Sequence, residues 1–326
     1  MKMFIYILKR IGLMLMVFFV IMTMCFVLIR LLPDEIPPSM KDEAYALRAM
    51  HEAWGYNKPI LVQYGIFLKN VFTKFDWGFC RKVDWLTPVT VHVAKKLPAT
   101  MSVNIYAVLF SMPLGILFGV FAALKKNKWQ DQVISVLTMV FISVPSFVYA
   151  FVVQYIFAFK LKIFPHTVAA LEQGLTYFSP VVLKSMVLPI LAMSFGIIAG
   201  FTRFTRAELT ETLTSDYMLL ARAKVLTRRQ ATVRHALRNA FVPILPMVLA
   251  EFMAIMGGSL VIERIFAIPG IGGAYTQAVL GRDYDLFLFL SMFYTALGLI
   301  SGIIVDLSYG FIDPRIRMGG GKTNEL

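Results

Sequence analysis

Cysteine is nearly absent from this chain. Of 326 residues only Cys25 and Cys80 carry a thiol; the first sits inside a long apolar run and the second in the segment beyond it, so no disulfide framework is expected and both read as unpaired. Histidine is as scarce. His51, His92, His166 and His235 fall in four separate regions, with no H-E-x-x-H and no Cys/His cluster, so the residue patterns of a zinc site are missing. Internal repeats and low-complexity tracts are also missing, apart from Gly319-Gly320-Gly321. The tail run Gly321-Lys322-Thr323 imitates the end of a phosphate loop, but that motif needs glycine where Ile316 stands and a strand leading into it, so it is read as a tail. No catalytic residue and no metal ligand is assigned, and the chain is not read as an enzyme.

Charge is low, at 16% of residues, against 58% hydrophobic residues and a mean hydropathy of +0.71, which is too apolar for a soluble globule. Apolar runs of about 20 residues, the length that crosses a hydrocarbon core, occur at 11–29, 97–124, 132–159, 185–202 and 286–305. A sixth, 239–262, is interrupted only by Glu251. Strand-like alternation is absent, so the expectation is an all-α polytopic membrane protein of six transmembrane helices. The first run is too long for a signal-peptide core and no A-x-A-like site follows it, so it is read as a retained helix.

Basic residues place the connections. Lys2, Lys9 and Arg10 precede the first run; Lys125, Lys126 and Lys128 join the second to the third; Arg315, Arg317 and Lys322 follow the last. Between Arg203 and Arg238 stand eight Arg/Lys against three acids. With six spans all four groups share one side, and the positive-inside rule makes that side, with both termini, cytoplasmic. The 33–98 loop carries nine Lys/Arg and seven Asp/Glu over 66 residues and is long enough to cross regardless of charge. The net charge of +13 needs only this asymmetry and anionic lipid, so no nucleic-acid partner is assigned.

The expected organisation is a cytoplasmic N-terminus with helix 1 at 1–32, an extracytoplasmic subdomain at 33–96, a transmembrane domain at 97–312 with a cytoplasmic loop at 203–239, and a tail at 313–326. In the outer segment, Trp54, Trp77 and Trp85 with Tyr45, Tyr56 and Tyr64 argue for a folded piece. Helices are expected at 42–54 and 60–71, with a break at Asn57-Lys58-Pro59.

The densest signal is 215–239. Ser215 is read as an N-cap with Asp216 at the positive helix end. Thr227-Arg228-Arg229-Gln230 fits a capping box that starts a second short helix burying Ala231, Ala236 and Leu237. These features alone leave two readings open: a rigid helix pair docking a partner, or an amphipathic hairpin lying on anionic lipid. Inside the spans Glu251 stands about 12 Å beyond Pro243 at 1.5 Å per residue. It is either a group lining a cavity or path or a structural, hydrogen-bonded acid. Lys184 and Asp306 lie nearer span ends and read as anchors. Pro113, Pro145 and Pro189 are expected to kink their helices.

In this order the residues resemble a known family. They are Ile7-Leu8-Lys9-Arg10, Trp54-Gly55-Tyr56-Asn57-Lys58-Pro59 with Gln63-Tyr64, Asp76-Trp77-Gly78, Leu97-Pro98-Ala99-Thr100, Asp216-Tyr217, Ala221-Arg222-Ala223-Lys224, Arg234-His235-Ala236-Leu237-Arg238-Asn239 with Pro243, Glu263 with Phe266, Pro269-Gly270-Ile271-Gly272, Arg282-Asp283-Tyr284 and Asp313-Pro314-Arg315-Ile316-Arg317. The chain is similar to the inner-membrane permease subunits of ATP-binding-cassette importers, in the oligopeptide/dipeptide branch. Val225 departs from the pattern, since the family usually has glycine after the Ala-Arg-Ala-Lys run and a β-branched residue suits φ > 0 poorly.

The resemblance implies a type I importer transmembrane architecture with an extracytoplasmic insertion after helix 1. It also implies four kinds of partner: a second homologous permease, two ATPase subunits, an extracytoplasmic substrate-binding protein and membrane lipid. ATP and Mg²⁺ are then used by the ATPases, and this chain binds no cofactor. Asp216, Tyr217, Ala221, Arg222, Ala223, Lys224, Arg228, Arg229, Arg234 and His235 become the ATPase-coupling candidates, and Glu251 the candidate for the path. A permease for a non-peptide solute such as a sugar or nickel chelate remains the alternative. A channel or secondary transporter lacks a filter motif or inverted repeats, and a membrane enzyme lacks converging residues.

Overall fold

The computed structural model describes residues 2–32, 49, 52, 54–171, 174–216, 218 and 227–312. Among them there is no strand, only an isolated antiparallel bridge between Phe79 and Pro88. The helices are α1 (Lys2–Arg30), α2 (Ile60–Lys74), α3 (Val89–Leu124), α4 (Trp129–Ser143), α5 (Ser146–Val153, continued by a π turn over Gln154–Lys160), α6 (Pro180–Thr214), α7 (Arg228–Ala231, continued by a π turn over Thr232–Ala236), α8 (Leu237–Ala254), α9 (Leu260–Ile265), α10 (Ile271–Gly281) and α11 (Tyr284–Ile312). The expected helix at 42–54 falls almost wholly outside the described residues. The expected break at 57–59 and the helix after it are present, with the helix running three residues further than 71.

Five helices are long and apolar enough to span a membrane: Ile7–Arg30, Val89–Leu124, Pro180–Thr214, Thr232–Ala254 and Tyr284–Ser308. The sixth expected span, 132–159, is not one straight helix. It breaks at Val144-Pro145, where α4 and α5 meet at 99°. Proline has no N–H and drives the preceding residue out of the helical region, and Val144 accordingly sits at φ −93°, ψ 126°. Tyr149 donates its hydroxyl to the Val140 carbonyl at 3.0 Å, and the rings of Phe141, Tyr149 and Phe195 pack within 4.9–5.9 Å around the corner. Pro113 and Pro189, also expected to kink, lie inside helices that continue through them, as do Pro98, Pro243 and Pro246.

The chain divides into two compact units, 1–96 with 274–299 and 97–273 with 300–326. In the first, an aromatic file runs from Phe26 of α1 through Phe67 of α2 and Trp77 to Phe289 of α11, with successive centroids 4.9, 5.9 and 5.4 Å apart. Asp283 is wholly buried and its Oδ2 accepts the backbone N–H groups of Arg81, Lys82 and Val83 at 2.8, 2.9 and 3.1 Å, so one carboxylate holds three consecutive loop amides. Beside it, Asp285 accepts from Tyr56 and Arg81, and the Arg30 guanidinium lies 3.7 Å from the Tyr56 ring centre. Burial and the Asp285 charge hold the Tyr56 phenol well above its usual range, so it stays a donor. Burial, with Asp283, Asp84 and Asp285 nearby, pushes the Cys80 thiol up to about 12. Both cysteines are free.

The second unit is knit by a close crossing of α3 and α6. A Cβ at Gly115 would lie 2.7 Å from Phe201 Cβ and 2.8 Å from the Ile198 carbonyl; one at Gly119 would lie 2.6 Å from Thr205 Cβ and 2.8 Å from the Thr202 carbonyl. Glycine at i and i+4 lets the two backbones meet, and Thr202 uses the approach to donate to the Gly115 carbonyl at 3.1 Å. Replacing Gly119 by alanine should therefore lower the melting temperature of the detergent-solubilised protein, at a cost of about 1–3 kcal/mol. Gly196→Ala on the same α6, where a Cβ meets nothing within 4 Å, should not. Equal melting of the two variants by size-exclusion thermal challenge would show that the crossing is not tight.

Candidate functional site: the 203–239 segment and the Glu251 cavity

Helix α6 carries the segment's first basic residues and ends at Thr214. Ser215 stands between α6 and the helical Asp216 with extended dihedrals, φ −73° and ψ 155°, the backbone conformation of an N-cap; its hydroxyl donates backward to the Thr212 carbonyl at 2.6 Å, closing α6, and its own carbonyl accepts Met218 N–H at 3.0 Å. Its position at the end of one helix lets it satisfy that helix's orphan carbonyl first. Asp216 is exposed and Met218 buried. Tyr217, Ala221, Arg222, Ala223, Lys224 and Val225 lie outside the described residues.

The capping box is formed. Gln230 N–H donates to Thr227 Oγ1 at 3.3 Å and Thr227 N–H to Gln230 Oε1 at 3.1 Å, so two orphan amides are satisfied reciprocally and Arg228 and Arg229 open the helix. The expected second short helix is corrected to a long one. Ala231 and Leu237, at the two ends of the π turn, both keep right-handed helical dihedrals, so 228–254 is one helical rod that begins in the basic segment and continues as a span.

Its two sides have different fates. Ala231, Ala236 and Ala240 are buried with Ala123, Leu209 and Met218, and Leu237 packs partly buried against them. Alanines allow that close approach within the chain. Gln230, Val233, Arg234, His235 and Arg238 are exposed, with Val233 at 57%. The rod thus presents one apolar residue among cations and polar groups, a surface suited to a partner with an acidic rim.

Asp131, singled out by nothing in the sequence except as an acid near a Lys-rich connection, changes the account of Arg206. Arg206 Nε and Nη2 donate to the Asp131 carboxylate at 2.5 and 2.8 Å, and Asp131 also accepts Asn127 N–H at 2.9 Å. One of the segment's basic residues is therefore committed to a bidentate bond that pins the α3–α4 connection to α6.

Glu251, on α8, borders a cavity of about 210 Å³ with Asn104, Ser146, Met193, Ile197 and Ser259 among its walls. Just beyond, α8 stops at Ala254, eight residues short of the expected 262, and the chain turns through Gly257 and Gly258, the latter at φ +64°. Asn104 Nδ2 donates to the freed Ile255 carbonyl at 2.8 Å.

Below this turn lies Glu263, which the sequence marked only as part of a motif. It is buried, accepting from Thr100 Oγ1 at 2.8 Å, Gly272 N–H at 2.9 Å and Gly273 N–H at 3.2 Å. Thr100 Oγ1 in turn accepts Ile271 N–H at 2.9 Å, so its single proton is free for Glu263. The acid and the threonine together cap the first turn of α10. A Cβ at Gly258 would stand 2.5 Å from Glu263 Oε1, and one at Gly270 would collide with both Glu263 and Thr100. Among the described residues no three of His, Cys, Asp and Glu are grouped to hold a metal ion.

With this geometry in view, comparison with known proteins is direct. A family model described as "Binding-protein-dependent transport system inner membrane component" matches residues 115–318, and the model of its N-terminal membrane component matches 3–104. The chain belongs to this family of binding-protein-dependent transport permeases and is a multi-pass membrane protein. It is 33% identical over 314 residues, 96% of this chain and 99% of the other, to the dipeptide transport system permease protein DppB of Lactococcus lactis subsp. cremoris. It is 34% identical over 306 residues, 92% and 94% of the two chains, to the oligopeptide transport system permease protein OppB of Salmonella typhimurium. A solved amino acid ABC transporter chain aligns at TM-score 0.49 and 18% identity, covering 68% of this chain and 94% of that one.

The capping box predicts a local effect. Thr227→Ala should cost about 1 kcal/mol at the helix start, seen by hydrogen–deuterium exchange as about fivefold faster exchange at 230–232, with 244–254 unchanged. Uniform exchange across the rod would mean that the box does not hold its end.

Proposed function

We propose that this chain is one membrane-spanning subunit of an ATP-driven importer of dipeptides or oligopeptides. The observation that carries the reading is the near full-length similarity to permeases named for those cargoes, and the geometry supplies a mechanism compatible with it. A second, homologous permease completes the path. Two separate ATPase subunits bind ATP and Mg²⁺ and hydrolyse it, and an extracytoplasmic binding protein delivers the peptide. The basic connections and both termini face the cytoplasm, and the 54–88 segment faces outward.

The rod 228–254 is the coupling element. Its capped end offers Val233, Arg234 and His235 to an ATPase groove, alongside the candidates Asp216, Tyr217, Ala221, Arg222, Ala223, Lys224, Arg228 and Arg229. Because the backbone is helical from there to Ala254, a displacement of the docked end is carried as a rigid body toward Glu251 and the turn at 255–259. The Ala231–Ala236–Ala240 edge keeps that motion in register with α6.

Two measurements test this reading. Val233→Glu and Arg234→Glu should each reduce ATPase retention in detergent at least fivefold, since a charge placed or reversed at the centre of a docked surface falls on the few positions that cost over 1 kcal/mol, while insertion and expression persist. Retention unchanged by both, or a loss that follows total charge and is as large for Lys126→Glu, would leave a lipid-facing basic surface instead. For orientation, a cysteine at Trp85, which is 40% exposed, should react with an impermeant maleimide from outside, and one at Arg228 only from inside. The native Cys80 thiol, buried and neutral, should stay silent. Labelling of position 228 from outside would overturn the orientation and the docking together.

A further inference from the structure

Resting on the importer reading, we infer that the cavity at Glu251 is a station for a protonated primary amine, the free amino end of a peptide in transit. The cavity lies wholly within the second unit, walled by α3, α5, α6, α8 and the turn after α8, and Glu251 is the only charged residue among its lining residues. Among the described residues no cation or hydrogen-bond donor engages the Glu251 side chain. A carboxylate placed that deep in a span without a partner awaits one. Arg206 shows the contrast, since Asp131 already occupies its guanidinium.

A second feature has the same sign. The cavity borders the C-terminal end of α8, where helix carbonyls gather partial negative charge, and Asn104, whose amide nitrogen is committed to Ile255 O, keeps its side-chain oxygen as an acceptor. Carboxylate, helix end and amide oxygen together favour an ammonium group and repel a peptide's carboxylate end, so the station also sets direction. One carboxylate is too few for a hard metal ion, which collects six or more oxygens. The volume of about 210 Å³ falls below the roughly 300–1,000 Å³ of sites that enclose a whole drug-sized ligand. It suits a chain end with its first side chain while the rest of the peptide lies outside. Glu251 also stands on the rod that carries Arg234, 17 residues away and therefore about 25 Å along the axis, so docking at one end repositions the amine site at the other.

The test is uptake by the full complex in proteoliposomes, with Glu251→Gln compared with wild type for each peptide, so that differences in delivery by the binding protein divide out. A tripeptide with a free amino end should lose about tenfold in the variant, and its N-acetylated form less than twofold. An N-acetylated peptide with one lysine separates the two sources of the amine: a tenfold loss there too assigns the site to any primary amine and overturns the restriction to the chain end. Equal losses for free and acetylated peptides would overturn the station and make Glu251 structural. If wild type takes up no acetylated peptide, the free-amine tripeptide is compared at pH 6.5 and 9.5. The α-amino group titrates near 7.7–8.0, so the wild-type advantage should vanish at the higher pH, and an advantage equal at both overturns the proposal. Uptake of no peptide at all by wild type would instead refute the peptide reading, a distinct outcome.

Discussion

Hydrocarbon offers no hydrogen-bond partner to a backbone, and the rest of this structure depends on the ways the chain answers that constraint wherever its helices stop. At several interruptions a named side chain takes up a freed group. Tyr149 serves the Val140 carbonyl where α4 breaks, and Asn104 serves Ile255 where α8 ends. Ser185 accepts Ala169 N–H in the connection after α5. Thr100 and Glu263 take three amides at the start of α10, and Asp283 takes three more in the 81–83 loop.

Two buried carboxylates show how much one acid can organise. Asp283 in the first unit and Glu263 in the second both bind runs of backbone N–H, and glycine stands wherever a Cβ would strike the carboxylates of these clusters: Gly78 against Asp285, Gly258 and Gly270 against Glu263. Oriented amides, joined at Glu263 by the Thr100 hydroxyl, hold these side chains in place. Among the described residues Glu251 has no such cradle; it borders a cavity instead.

The helical stretch 228–254 brings several of these features together. A basic, capped end, an alanine edge against α6 and a carboxylate near the far end share one uninterrupted helix. The described backbone stays helical from Arg228 to Ala254, through the π turn and past Pro243 and Pro246.

Much of this was legible in the sequence because it depends on neighbours in the chain. The apolar runs located the ends of the five long spans to within eight residues everywhere but at Thr214, the Thr227–Gln230 spacing located a helix start, and Asn57-Lys58-Pro59 located a turn, since hydropathy, capping and proline sterics act over a few residues. The tertiary structure alone decided the rest. Six prolines fall in or beside apolar runs, at 98, 113, 145, 189, 243 and 246, yet only Pro145 ends a helix, where an aromatic corner and the Tyr149 hydroxyl receive the bend. Arg206 reads as one more basic residue until Asp131, 75 positions earlier, is found against it. Asp283 reaches the 81–83 amides across about 200 residues, and Thr100 reaches Glu263 across 163. Local periodicity determines which segments are helices; which distant acid meets which amide is set by how those helices pack, and composition and spacing carry no record of it.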